Sequence, residues 1–159
     1  MIDQLVNLVR QNAGDAIVKN PAIPDDKNND AIQDVAQNIF GGLQEQAQGG
    51  NLSSLVSMFN SGPSSSNPAV TQIIGRVAGS LASKFNVSPQ TAQQIASGIL
   101  PVVMNQFVNK AKDPNDNDFD LQDIVSKVGG GKVDASDLLG KLTGGSGGIG
   151  GALGKMFGN

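Results

Sequence analysis

Apolar residues recur every three or four positions throughout residues 68–85, and this period constrains the fold more than any other feature of the sequence. Asn67 and Pro68 begin the run, and they are residue types favoured at the N-cap and at the first position of a helix. The segment therefore predicts an amphipathic helix with one buried face. That face consists of Val70, Ile73, Ile74, Val77, Ala78, Leu81, Ala82 and Phe85.

Two glycines in this predicted helix, Gly75 and Gly79, lie four residues apart. Small residues at this spacing let two helices approach closely, above all in membranes. Because the charged residue Arg76 lies between them, we expect a neighbouring helix of the same fold to approach there.

A second helix-start signal, Ser88 followed by Pro89, predicts a helix that continues to about Lys112. Residues 99–104 are apolar on all sides and are therefore predicted to be the most buried segment of the chain. Pro101 lies within them, and it predicts a kink or a split in the helix.

The same apolar period recurs in three earlier segments. The predicted helices cover residues 2–19, about 31–48, and 52–60. The polar residues 25–30 and Asn51 predict the N-caps of the second and third of these helices. Gly14 in the first helix and the Gly41–Gly42 pair in the second are predicted weak points.

The composition changes at Asp113. Residues 113–142 carry seven Asp and three Lys, whereas residues 1–112 carry seven acids and seven bases. Within this acidic segment, the pattern of residues 120–128 returns fourteen positions later as residues 134–142. Each unit has Asp at its start and in its first turn and Lys near its end, charges that suit the helix dipole. We expect two short helices here.

Together these segments predict an all-α fold, an irregular array of about seven or eight helices, several of them short. We expect a single helical domain over residues 1–142, with an internal linker at 61–68 and the acidic segment at 113–142. Residues 143–159 are predicted to form a glycine-rich C-terminal tail.

The sequence contains no Cys, His, Trp or Tyr. These absences exclude disulfides, thiol nucleophiles, zinc sites built from Cys and His, and the Ser-His-Asp triad. No remaining spacing pairs a nucleophile with a base. We therefore expect a protein that is not an enzyme, with no catalytic, cofactor-binding or metal-ligating residues and no cofactor.

The charge and hydropathy of the sequence argue against nucleic acid and the membrane interior as partners. The 11 basic residues are scattered and the net charge is −3, so nucleic acid is not an expected partner. No stretch reaches the roughly 18 apolar residues that span a bilayer, so we expect no stable membrane insertion. The first residues lack the basic region of a secretion signal, and with no Cys this predicts a cytoplasmic location.

The acidic loop of residues 113–120 is a candidate calcium site. An EF-hand loop that begins at Asp113 has Asp118 where the motif requires Gly and Ile124 where it requires Glu. A solvated loop that ends in the N-cap residue Asp120 is the favoured interpretation, and a non-standard calcium site is the alternative.

The positive signal for function is a lack of charge. Residues 46–109 are 64 residues with only two charges, Arg76 and Lys84. Charge keeps proteins apart in solution and is depleted in the cores of interfaces. The sequence therefore predicts a non-catalytic module that associates with itself or with another protein. A ligand- or calcium-binding protein that uses residues 113–120 is the alternative, and a neutral surface without a partner also stays open.

Three features together resemble the bacterial YidB-like family, a domain of unknown function. They are a helix that ends near Phe85, the turn of residues 86–89 followed by Ala92 and the Ile99-Leu100-Pro101 step, and the Gly/Leu-rich tail. The resemblance covers about residues 30–159. It implies a small, all-helical and mostly intracellular protein, and it brings no catalytic residues to this chain.

Overall fold

The structure, a computed structural model, describes residues 1–113, 115–130 and 140. In these residues it contains six α-helices, one π-helical turn and two short 3₁₀ turns, and no strand. The helices are α1 (Ile2–Asn12), α2 (Asn28–Gln48), α3 (Leu52–Ser61), α4 (Pro68–Phe85), α5 (Pro89–Lys112) and α6 (Leu121–Gly129). The all-α prediction is confirmed. The predicted helix at 134–142 and the glycine-rich tail lie outside the described residues.

The helix α4 packs against α2 on one side and α5 on another. It has the predicted bounds and the predicted cap, since the Asn67 side chain accepts a hydrogen bond from the Ala69 amide at 2.9 Å. Val70, Ile73 and Val77 are fully buried. An apolar face enclosed from two sides supplies most of the stability of such a helix.

The close helix approach occurs at a different glycine from the predicted pair. A Cβ added to Gly42 of α2 would lie 2.7 Å from Cγ1 of Ile73, whereas at Gly75 and Gly79 it would meet nothing within 4 Å. The prediction for Gly75 and Gly79 is therefore wrong, because the apolar residues beside them form the buried face and the glycines face solvent. Gly41 and Gly42 do not interrupt α2, since the contact with α4 supports the helix there.

The helix α5 runs unbroken through Pro101, so the predicted split is wrong. Proline removes the hydrogen bond to the carbonyl four residues earlier, here that of Ser97. Ser97 is exposed, so water can satisfy that carbonyl. The burial of residues 99–104 is confirmed for Ile99, Leu100, Val103 and Met104. Val102 is instead 46% exposed, because it lies on the solvent side of α5.

The first predicted helix is also divided differently. The helix α1 ends at Asn12, and residues Gly14–Val18 form a π-helical turn instead of continuing it. The amides of Ile17 and Val18 both donate to the Ala13 carbonyl, at 2.8 and 3.1 Å. This wider turn leaves Ile17 fully buried, and the weak helix former Gly14 permits the change of register.

Two predicted helix caps are not made. A 3₁₀ turn at Asp25–Lys27 leads into α2, which begins at Asn28 with no side-chain cap. The Asn51 side chain makes no cap hydrogen bond to α3, although it occupies the N-cap position. By contrast, Ser88 caps α5 as predicted, through a 3.2 Å hydrogen bond from the Thr91 amide.

The helix α6 packs against α2 and α5 and begins at the predicted cap, since Asp120 accepts from the Asp123 amide at 3.0 Å. Just before it, the buried ring of Phe119 meets that of Phe107 edge-on, with centroids 5.7 Å apart. Phe107 meets Phe59 of α3 in the same manner at 6.2 Å. This row of three rings attaches the acidic segment to the helical core.

Candidate functional site

Both charges of the charge-poor segment are neutralised by α2. Arg76 of α4 forms an ion pair with Glu45, and Lys84 of α4 forms one with Asp34. All of residues 46–109 belong to the described part of the chain, so this segment presents no cation without a carboxylate beside it. The surface of residues 46–109 is therefore locally neutral.

The two ion pairs are joined by Asn38 into one row of polar contacts along the α2–α4 boundary. Asn38 donates to the Asp34 carboxylate at 3.0 Å and accepts from Nε of Arg76 at 3.2 Å. Asp34 is only 5% exposed, and a buried carboxylate costs several kcal/mol unless it is paired. These contacts therefore hold α4 in register on α2.

Sequence reasoning missed this row of contacts because its members are 31 to 50 residues apart in the chain. One feature of the sequence nevertheless indicates that both cations contact the same helix. Arg76 and Lys84 are eight residues apart, so they lie on one side of α4 within reach of a single neighbouring helix.

The exposed residues of α4 and α5, apart from the first proline of each helix and the charged Arg76, Lys84 and Lys112, form what we call the uncharged surface. It consists of Thr71, Gln72, Gly75, Gly79 and Ser83 of α4 with Gln90, Gln93, Gln94, Ser97, Gly98, Val102, Asn105 and Asn109 of α5. These side chains offer amides, hydroxyls and bare backbone to a partner, without the charges that are depleted at interface cores.

Three glycines of the uncharged surface lie within helices at positions where no close packing contact in the molecule requires a glycine. A Cβ added to Gly75, Gly79 or Gly98 would meet no atom within 4 Å. Glycine in a helix interior costs about 1 kcal/mol relative to alanine. Val102, one turn from Gly98, is one of two large apolar side chains that the described residues leave exposed.

The acidic loop uses its carboxylates for local contacts. Asp113 accepts from the Asn115 amide at 2.9 Å, and Asp116 accepts from the Asp118 amide at 3.1 Å and from Nζ of Lys110 at 2.8 Å. Within residues 1–113 and 115–130, no three carboxylates are grouped in a way that could hold a metal ion. Lys110 supplies the positive charge in this loop.

The pairing of Lys110 with Asp116 shifts the pKa of both groups. The hydrogen bond from Lys110 holds the pKa of Asp116 below its usual value, and the hydrogen bond to Asp116 raises the pKa of Lys110. The Lys110 ammonium also lies 5.6 Å from the centroid of the Phe119 ring, a cation–π distance. The loop is thus tied to α5 by charge and to the core by Phe119.

Comparison with known proteins gives one family. The profile of a family described as a bacterial protein of unknown function (DUF937) matches residues 69–159, which include α5, α6 and nearly all of α4. This match is consistent with the YidB-like resemblance of the sequence. No curated protein and no solved structure matches the chain. Among the described helices, none combines the length and apolar character needed to cross a membrane.

Proposed function

This chain belongs to the bacterial DUF937 family of unknown function, and we propose that it is a non-catalytic module that associates with a second copy of itself through the uncharged surface. The observation that carries the proposal is the neutrality of residues 46–109, whose two charges are both paired with α2. Two identical charged surfaces repel each other, whereas two neutral polar surfaces do not.

The exposed glycines support the same proposal. Gly75, Gly79 and Gly98 leave the helix backbone uncovered, and bare backbone allows a second helix to come close enough for weak Cα–H···O contacts. The net charge of −3 arises elsewhere, because the excess of acids lies in residues 113–142. The uncharged surface itself therefore carries none of these acids.

The alternative function, calcium binding by residues 113–120, is less well supported. Lys110 already pairs with Asp116 at 2.8 Å, and a calcium ion would have to displace this ammonium or bind beside it. Asp120 is committed to the N-cap of α6. Calcium requires six to eight oxygen ligands, which the remaining carboxylates of the loop do not supply by themselves.

The test is the molar mass of the full chain across protein concentration, measured by light scattering or sedimentation. We expect the mass to rise with concentration toward that of a dimer. Gly79→Glu and Gly98→Glu place a charge on the surface without a clash, and each should weaken association at least tenfold, about 1.4 kcal/mol.

Gly79→Gln is the matched control, because it adds a side chain of nearly the same size without the charge. Gln11→Glu is a second control, which adds the charge to an exposed position of α1. A mass that stays monomeric at every concentration contradicts the proposal. Equal weakening by Gly79→Glu and Gln11→Glu would show that charge acts through the whole molecule instead of this surface.

A further inference from the structure

The helices α1 and α2 form an open groove of about 320 Å³, which we call the α1 groove. Half-buried apolar side chains and exposed polar ones line it together with two exposed glutamines of α2. The lining residues of α1 are Ile2, Asp3, Val6, Asn7 and Arg10. No residue of the α1 groove belongs to the uncharged surface, so the two are separate features of the molecule.

The α1 groove contains one acid and one base that no described residue neutralises. Asp3 lies in the first turn of α1 and Arg10 in its last turn, and both are exposed. Within the part of the chain that the structure describes, neither of them takes part in an ion pair. Arg10 donates only to the neutral Asn7 side chain, at 3.3 Å. In this respect it differs from Arg76 and Lys84, which are both paired with carboxylates.

The spacing of these two charges fits a second copy of α1 in antiparallel orientation. Asp3 and Arg10 are seven residues apart, so they lie on the same side of the helix, roughly 10 Å apart along its axis. A two-fold axis that passes between Val6 and Asn7 places Asp3 opposite Arg10 of the second copy, and it does so twice. A parallel alignment would bring like charges together, and it would also align the two helix dipoles unfavourably.

The apolar residues of the α1 groove lie near the centre of this arrangement. Ile2 and Val6 are one turn apart, beside the two charges, and each is only half buried. The same two side chains of a second copy can cover their exposed parts. Apolar contacts in the centre with polar groups at the rim are typical of protein interfaces.

We propose that the α1 groove is a second site of self-association, which binds α1 of another copy in antiparallel orientation. The occupant is a second copy because the groove is complementary in charge to itself. The proposal does not depend on association through the uncharged surface, since the two sites share no residue. Where both contacts form, two symmetric contacts on different helices join the copies into assemblies larger than a dimer.

The test measures the association constant of the full chain by sedimentation equilibrium. It uses the Gly79→Glu background, in which association through the uncharged surface is weakened. Asp3→Arg and Arg10→Asp each give the α1 groove two like charges. An exposed ion pair contributes up to about fivefold in affinity, and the two-fold axis forms the pair twice. Each substitution should therefore weaken self-association by about tenfold or more.

A mixture of the two single variants tests the register of the contact. One copy then carries two acids in its α1 groove and the other carries two bases, so a mixed dimer regains both ion pairs. We expect the mixture to associate about as strongly as the Gly79→Glu chain. The matched control is the double variant with Asp3→Arg and Arg10→Asp, which exchanges the two charges and should likewise restore self-association.

The dependence on salt gives an independent readout. Two copies with a net charge of −3 repel each other, so added salt strengthens an association to which ion pairs do not contribute. Association through the α1 groove should instead weaken several-fold between about 0.05 and 0.5 M salt. Asp3→Arg provides a further check, because it lowers the net negative charge and yet should weaken association.

Three results would overturn the proposal. One is a Gly79→Glu chain that stays monomeric at every concentration in low salt. Another is self-association of Asp3→Arg and Arg10→Asp as strong as that of the Gly79→Glu chain. The third is a mixture that associates no more strongly than its two components. Failure of the uncharged surface gives a different result, equal association of the natural chain and Gly79→Glu.

Discussion

The same substitution, glycine to alanine, should have opposite effects at Gly42 and at Gly79. Both residues lie within helices, α2 and α4, so alanine improves helix propensity by about 1 kcal/mol at each. The environments differ, because an added Cβ would lie 2.7 Å from Cγ1 of Ile73 at position 42 and would meet nothing within 4 Å at position 79.

The expected difference in stability between the two variants follows from the contact with Ile73. Ordinary contacts of a Cβ begin near 3.4 Å, so the distance of 2.7 Å must increase by roughly 0.7 Å. Ile73 is fully buried between helices and has no free space to enter. Overpacking of this kind costs about 1–3 kcal/mol. Gly79→Ala should therefore stabilise by about 1 kcal/mol, and Gly42→Ala should be neutral or destabilise by up to about 2 kcal/mol.

The assay is urea unfolding followed by circular dichroism, at low protein concentration so that association does not contribute. Because the propensity terms cancel, the difference between the two variants, about 1–3 kcal/mol, measures the packing of α2 on α4. In melting temperature this is about 2–4 °C for each kcal/mol. Equal stabilisation by both substitutions would refute the close approach of α4 at Gly42.

Two further predictions concern the acidic segment. Phe119→Ala removes a buried ring that packs on Phe107, and it should cost about 3–5 kcal/mol in urea unfolding, whereas Phe119→Leu should cost clearly less. The pair of Lys110 and Asp116 should make stability depend on pH at both extremes. Because folding lowers the pKa of Asp116, its contribution is complete above the unfolded value of 3.8 and is lost as pH falls through the folded value. Because folding raises the pKa of Lys110, its contribution is complete below 10.5 and is lost as pH rises through the folded value. The difference in unfolding free energy between the natural chain and Asp116→Asn should thus be constant from about pH 5 to 9 and shrink outside that range. A difference that changes within it would contradict this pairing.

The helices with strong end signals were predictable from the sequence. For α4 and α5, an N-cap residue followed by proline marks the start, and the apolar period marks the buried face. Where such signals are weak, the boundaries were wrong. The π-helical turn after α1 and the uncapped start of α2 depend on which side chains the rest of the fold buries, and Ile17 is the example.

The candidate surface was predictable in composition but not in geometry. The scarcity of charge in residues 46–109 can be read directly from the sequence. The sequence does not show that Arg76 and Lys84 are both neutralised, because their partners lie on α2, 31 and 50 residues away. Pairings between distant residues are set by how helices pack, and local propensity carries no information about them.

The glycines show most clearly what the sequence determines and what only the tertiary structure determines. By itself the sequence determined that this chain is helical, that its acids are concentrated after Asp113, and that a short helical pattern is written twice. Only the tertiary structure shows that Ile73 packs closely against Gly42, while Gly75 and Gly79 face solvent. The physical reason is that helical spacing places a glycine on one side of its helix, but which sides are covered depends on the neighbours that pack there.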